Sequence, residues 1–274
     1  MLTFAGILIP IIYIIFSSFI IWKSTDSFET AADYLGRKMS KGVKGATLNA
    51  IASSMPEFLS TMFFLFYVKN ESGFADSFSG GLGVTAGSAV FNILIIPAAI
   101  LFFGVFSRTG ITSFPVNKQA IKRDGIFLIL ANFILIFLIR QRILGPFDGI
   151  ILVLIYIFYL FLLRKGFGRN SIFDESYYGK AFPKVKITIT DFIRLNLNKI
   201  VLNNHRLTTG RAWFLLILST IVMSGGTWLL VEGTELLGND EYSLFGIEGL
   251  KGLDFPIIFI SVLLASAATS IPDT

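Results

Sequence analysis

Residues 52–57 read Ala-Ser-Ser-Met-Pro-Glu, inside a run at 45–68 that is otherwise apolar. A carboxylate at membrane depth is expensive and normally faces a cavity or a partner. Ser53 and Glu57 are four residues apart, and Ser54 and Glu57 three, so all three can share a helix face. Pro56 has no N–H, so the carbonyl of Ala52 loses its helical donor, and the ring clash can open the turn around Ser53. Freed carbonyls, hydroxyls and a carboxylate are all oxygen ligands. Hard cations such as Ca²⁺ take six to eight of these, with carboxylates supplying the charge.

The pattern has an echo. Residues 268–273 read Ala-Thr-Ser-Ile-Pro-Asp, 216 positions after their counterparts. Glu57 and Asp273 together supply two negative charges, which suits a divalent cation. Thr269 and Ser270 repeat the roles of Ser53 and Ser54. A second polar cluster lies in the segment 80–98. There Gly83 and Gly87 form a small-xxx-small pair with Ala86 beside them, a face suited to close helix packing. Ser88 and Asn92, four apart, can point together into a bundle. Spacing alone leaves open whether they serve as ligands or as hydrogen-bonding glue between helices. The glycines are no nucleotide loop, because no Gly-Lys-(Ser/Thr) follows them.

The elements that must position these groups are membrane helices. Only 15% of the 274 residues are charged, against about 25% in ordinary soluble domains, and 54% are hydrophobic. Apolar residues gather in seven blocks, roughly 3–22, 45–68, 83–106, 125–139, 147–163, 212–231 and 255 to the end. Most approach or exceed the ~20 residues a helix needs to span a bilayer. The expected class is an all-α polytopic membrane protein whose first block is retained rather than cleaved. Lys and Arg fall unevenly between the blocks: nineteen lie in loops 1–2, 3–4 and 5–6, and four in the alternate loops. By the positive-inside rule the N-terminus is outside and the 164–211 loop cytoplasmic. Helices 2 and 7, which carry the two motifs, then run in opposite directions. That is the signature of an inverted repeat with a midplane site.

Several chemistries are excluded or left open. There is no cysteine and one histidine, His205, read as a surface residue, so neither a zinc site nor a Ser-His-Asp triad is available. The paired carboxylates lack neighbours for acid–base work, and no enzyme is expected. The outer loop between blocks 6 and 7 is acidic, either a cation-focusing vestibule or a plain solvated loop. The stretch 184–206 mixes basic and apolar residues, either an amphipathic element on the inner leaflet or a solvated connector. Asn70-Glu71-Ser72 matches the glycosylation pattern in an outer loop.

GATLNAIASSMPEFLS (45–60) followed by VTAGSAVFNILIIPA (84–98) resembles the first α-repeat of the cation/calcium exchanger superfamily. The likeness is closest to the animal-type Na⁺/Ca²⁺ and K⁺-dependent Na⁺/Ca²⁺ branches. SAATSIPDT (266–274) resembles the opening of the second repeat. The resemblance implies an inverted-repeat exchanger fold, here the first five-helix half plus the first two helices of the second. It implies Ca²⁺ coordination by the side chains of Glu57 and Asp273 and by the main-chain carbonyls of Ser53 and Thr269. It also implies Na⁺ sites at Ser54, Ser88, Asn92 and Ser270. No cofactor is implied; the ions are cargo, Ca²⁺ against Na⁺, with K⁺ left open. The expected organisation is a first half at 1–163 with α-repeat 1 at 45–106, a basic cytoplasmic loop at 164–211, and an incomplete second half at 212–274 with repeat 2 opening at 265–274.

Two departures stand out. The family usually has Gly before each hydroxyl pair, where this chain has Ala52 and Ala268. The chain also stops at Thr274, one residue after the second acid. The expectation is therefore a truncated or split product, with a second chain supplying the missing helices or a non-transporting fragment as alternatives. A proton-coupled Ca²⁺ antiporter is the nearest rival. That branch typically has a histidine beside its acidic motif, where this chain has Phe58.

Overall fold

The computed structural model describes residues 2–39, 41–68, 73–107, 118–140, 144–166, 187–203 and 206–270. In chain order the helices are α1 (Leu2–Leu35), α2 (Lys41–Lys44), α3 (Ala50–Ser53), α4 (Met55–Phe63), α5 (Phe74–Val90), α6 (Ile96–Ser107), α7 (Lys118–Ile139), α8 (Pro146–Gly166), α9 (Ile189–Ile193), α10 (Leu197–Leu202) and α11 (Thr209–Gly238). Strands β1 (Glu241–Leu244) and β2 (Ile247–Lys251) follow, then α12 (Ile257–Ile260) and α13 (Ser266–Ser270). Four π-helical turns, Gly45–Asn49, Phe64–Val68, Phe91–Ile95 and Ser261–Ala265, join or extend these helices.

Each of the seven apolar blocks has a helical counterpart. Among the described residues, four helices are long and apolar enough to cross a membrane unbroken, and a bent pair makes a fifth. That pair is the motif helix: Thr47–Ser53 and Met55–Val68 meet at 47°. The break falls at Ser54 (φ −89°, ψ 5°), one residue beyond the expected opening at Ser53. Pro56 then sits in the first turn of α4, where its missing N–H does no harm.

The two longest helices, α1 and α11, pack antiparallel. Gly226 lies against Ile20 and Ile21, and Gly233 against Tyr13, Pro10 and Ile14, so rising numbers on α11 meet falling numbers on α1. Their shared interface holds buried hydroxyls, including Ser17, Ser24, Thr25, Ser219 and Thr234. Each bonds a carbonyl three or four residues back in its own helix, so none is left unsatisfied in the apolar seam. The central core gathers Ile14 and Ile21 from α1, Val84 from α5, Leu230 and Val231 from α11, and Ile257 and Ala268 from the last span.

α7 and α8 form a hairpin tied by the Tyr159 hydroxyl, which donates to Asp124 Oδ1 at 2.9 Å. Their side chains face outward, Phe133 and Phe147 among the most exposed, as lipid-facing helices require. One element was not anticipated. The acidic loop after α11 folds as a β-hairpin, with Phe245 and Gly246 both at positive φ in its turn. It leans on the start of α1, where the Tyr242 hydroxyl donates to the Gly6 carbonyl at 2.5 Å. The acids of that loop divide: Glu235 is buried, Glu232 half-buried, while Asp240, Glu241, Glu248 and Asp254 are exposed.

Candidate functional site

The site is built on α5, flanked by the two motif-bearing spans. Against α4, Ser88 meets Glu57, Gly81 meets Thr61 and Gly80 meets Phe64, so the two helices run antiparallel. Against the last span, Gly83 meets Ile258 and Ser261, Gly87 meets Val262 and Ser266, and Ser88 meets Ser270, so those two run parallel. The two motif spans are therefore antiparallel to each other, as the inverted repeat requires.

Gly83 and Gly87 make the close approach possible. A Cβ on Gly83 would stand 2.8 Å from the Ser261 Cβ and 2.9 Å from the Ile258 carbonyl oxygen. One on Gly87 would stand 2.7 Å from the Ser266 Cβ, and the Val262 carbonyl oxygen is closer still. The small-residue face thus packs as anticipated, except that Ala86 turns outward and is exposed.

At the centre, the Ser88 hydroxyl donates to Glu57 Oε1 at 2.7 Å. The Ser88 and Ser270 oxygens are 3.0 Å apart. A hydroxyl has one proton, and that of Ser88 goes to the carboxylate, so Ser270 is the donor in the second bond. All three residues are buried: Glu57 is 5% exposed, Ser88 4% and Ser270 1%. Glu57 also occupies the first turn of α4, where the helix dipole favours negative charge.

The remaining candidates are placed differently. Thr269 is fully buried, and its hydroxyl donates to the Ser266 carbonyl at 3.0 Å. Ser53 is half-buried, its hydroxyl 3.2 Å from the Ala50 carbonyl. Ser54 and Asn92 are exposed, so the bend separates Ser54 from the face that Glu57 presents. Asp273 lies outside the described residues, as do Asn70 and His205. Among the described residues, no three Asp, Glu or His side chains gather around one point. Two groups escaped the sequence reading: Ser60 and Ser261 are buried, and their hydroxyls have no hydrogen-bond partner among the described residues. Ser60 lies three residues after Glu57, a spacing that would have flagged it.

Both motifs are preceded by a π turn at the same register. Gly45–Asn49 ends four residues before Ser53, and Ser261–Ala265 ends four residues before the matching Thr269. Gly45 and Ser261, the first residues of the two turns, are themselves 216 positions apart.

Known proteins are similar to this chain over about half of its length. A sodium/potassium/calcium exchanger 4 of Mus musculus is 29% identical over 136 residues, which are 49% of this chain and 20% of that protein. A sodium/potassium/calcium exchanger 3 of Rattus norvegicus is 30% identical over 137 residues, 50% of this chain and 20% of that protein. A probable sodium/potassium/calcium exchanger of Drosophila melanogaster is 28% identical over 127 residues, 46% and 18% respectively. The matched stretch thus spans about a fifth of the length of these relatives. No solved structure matches. The profile of the family described as sodium/calcium exchanger protein matches residues 9–165, which is more than half of the chain and includes Glu57, Ser88 and Asn92. With that match over more than half of its length, the chain belongs to the sodium/calcium exchanger family.

Proposed function

We propose that this chain carries the ion-binding half-site of a membrane antiporter that exchanges Ca²⁺ for Na⁺ by alternating access. The carrying observation is the buried Ser270–Ser88–Glu57 hydrogen-bond chain, which links the two motif spans through α5. A charge-assisted hydrogen bond contributes about 1.5–3 kcal/mol. Even the lowest scale puts a carboxylate at the centre of a spanning helix at about 2.5–3.5 kcal/mol. Hydroxyl donors of this kind only roughly offset that penalty, and a bound cation stabilises the charged form further.

In this reading Glu57 and Asp273 bind Ca²⁺ with the carbonyls of Ser53 and Thr269, and Ser54, Ser88, Asn92 and Ser270 serve Na⁺. When a cation enters, Ser88 turns its lone pairs toward it and releases Glu57, and Ser270, which bonds Ser88, reorients with it. The exposure of Ser54 and Asn92 supports a site that further helices complete, whether from a longer chain or a second one. The lysine and arginine bias supports an outside N-terminus and a cytoplasmic 164–211 loop. The names of the relatives favour K⁺ as a further transported ion.

The test is ⁴⁵Ca²⁺ uptake into Na⁺-loaded proteoliposomes. Glu57→Gln keeps the shape and removes the charge, and uptake should fall to background. Wild-type uptake by that variant would overturn the assignment, and uptake that follows an imposed pH gradient without Na⁺ would replace Na⁺ coupling by proton coupling.

A further inference from the structure

The segment 187–202 folds as two short helices, α9 and α10, at the foot of the α1/α11 pair, and its outward face is apolar. Ile189, Phe192 and Ile193 are spaced to share one face of α9, and they are 79%, 57% and 68% exposed. A five-residue helix does not hold its shape alone in water, yet this one is clamped from the other side. The Thr188 N–H and hydroxyl both donate to Asp191 Oδ2, at 2.8 and 2.7 Å. Lys199 reaches back from α10 to both Asp191 oxygens at 2.8 Å. Leu195 takes a positive φ to reverse the chain. Leu197 and Leu202 are then buried against Ala31 and Tyr34 of α1 and against Ala212 and Leu215 of α11.

The polar and packing groups of the segment are therefore used internally, while three large apolar side chains are held in the open. They lie level with the start of an apolar span. α10 docks on the first turns of α11, and the lipid-facing surface of that helix begins there with exposed Trp213 and Phe214. Basic groups ring the same level: Arg194, Arg206 and Lys38 are exposed, and Arg211 is half-buried, its guanidinium donating to the Arg206 carbonyl at 3.0 Å. Apolar side chains beside exposed cations, level with the start of an apolar span, are the chemistry of an anionic lipid surface.

We propose that 187–202 is an interfacial foot, which seats Ile189, Phe192 and Ile193 at the acyl boundary of the cytoplasmic leaflet and Arg194 among anionic headgroups. The foot grips both long helices at once, through Leu197 and Leu202 and through the Asn198 amide, which donates to the Thr30 hydroxyl at 3.2 Å. It thereby fixes the depth of the α1/α11 pair in the membrane. Only its sidedness rests on the orientation proposed above; its depth does not depend on which ions are moved.

The chain has no cysteine, so single labelled cysteines can be placed without background. Phe192→Cys and Asn196→Cys, each carrying an environment-sensitive fluorophore, are reconstituted in phosphatidylcholine vesicles with and without phosphatidylglycerol. Doxyl-labelled lipid should quench the label at 192 several-fold more than that at 196, and phosphatidylglycerol should deepen the difference. Ile193→Cys, on the same face, should repeat the 192 result and guards against one variant misfolding. Equal quenching at 192, 193 and 196 would overturn the foot. Quenching at 192 that ignores phosphatidylglycerol would overturn the role given to the anionic headgroups.

Discussion

Replacing Gly87 by alanine tests whether the contact that brings the two motif spans onto α5 also sets the site. The added methyl carbon would stand 2.7 Å from the Ser266 Cβ and 2.5 Å from its hydroxyl oxygen. Carbon atoms rest at about 3.5–4.0 Å, so the last span must retreat by roughly 1 Å. Overpacking of this kind costs about 1–3 kcal/mol. The retreat also stretches the 3.0 Å Ser88–Ser270 contact beyond hydrogen-bonding distance, which removes a further ~1 kcal/mol. With every 1.4 kcal/mol worth tenfold, Ca²⁺ affinity should fall by roughly tenfold to a thousandfold if the strain settles in the site. The assay is equilibrium ⁴⁵Ca²⁺ binding to the purified protein, with a thermal melt alongside. Ala86→Leu, on the exposed side of the same turn, should leave binding unchanged. Adding Ser266→Gly to Gly87→Ala should restore part of the loss, because it removes two of the clashing atoms and leaves the Val262 carbonyl. Unchanged binding and melting in Gly87→Ala would refute the packing of these two spans.

Two adjacent glycines in α11 should respond with opposite signs. Gly225 has open space around it, so Gly225→Ala should stabilise by about 0.5–1 kcal/mol through helix propensity. Gly226→Ala would put a methyl 2.8 Å from Ile20 Cγ2 and should destabilise by about 1–3 kcal/mol; melting temperatures of equal sign would contradict the antiparallel α1/α11 seam. The foot should be sensitive to acid. The Lys199 ammonium, followed by the Thr188 hydroxyl and N–H, holds Asp191 down to about 2. A depressed carboxylate contributes stability above its unfolded value, about 3.9, and loses it as pH falls through the folded one. Hydrogen-exchange protection over 188–199, measured against the intrinsic rate at each pH, should therefore hold to about pH 4 and fall toward pH 2, and Lys199→Gln should move that window upward.

Much of the architecture was legible because a bilayer demands long apolar runs and tolerates polar groups only where they are used. Glu57 and Ser88 could be picked out for that reason, and the glycine pair 83/87 for its spacing. The ends of the helices were less legible. α1 continues thirteen residues past its apolar block, through Lys23, Asp26, Glu29 and Asp33, because α11, α10 and the partner Lys44 support its polar end. The β-hairpin was hidden because its acids and glycines read as a solvated loop, and its anchors are long-range: the bond from Tyr242 to Gly6 and the packing of Tyr242 and Leu250 against Ala5, Ile9 and Tyr13. Ser54 illustrates the opposite error. Its spacing from Glu57 promised a shared face, but the bend falls at Ser54 itself, which is exposed.

The paired π turns were also beyond periodicity, and they bear most directly on how the site is aimed. The two stretches, Gly-Ala-Thr-Leu-Asn at 45–49 and Ser-Val-Leu-Leu-Ala at 261–265, match only at Leu48 and Leu264. Both nonetheless widen by a residue at the same distance from their motifs. A hydroxyl attends each: Thr47 donates to the Val43 carbonyl at 2.6 Å, and Ser266 donates to the Val262 carbonyl. Such back-bonding competes for the carbonyls of the preceding turn and loosens the regular ladder. One extra residue in a turn rotates everything downstream by about 100°. In a straight α-helix the motif residues would face about 100° away from where they now point, and Glu57 and Ser270 would not both meet Ser88. The shared register is thus a geometric requirement of bringing two oppositely directed helices to one hydroxyl, which explains how it persists where the residues themselves differ.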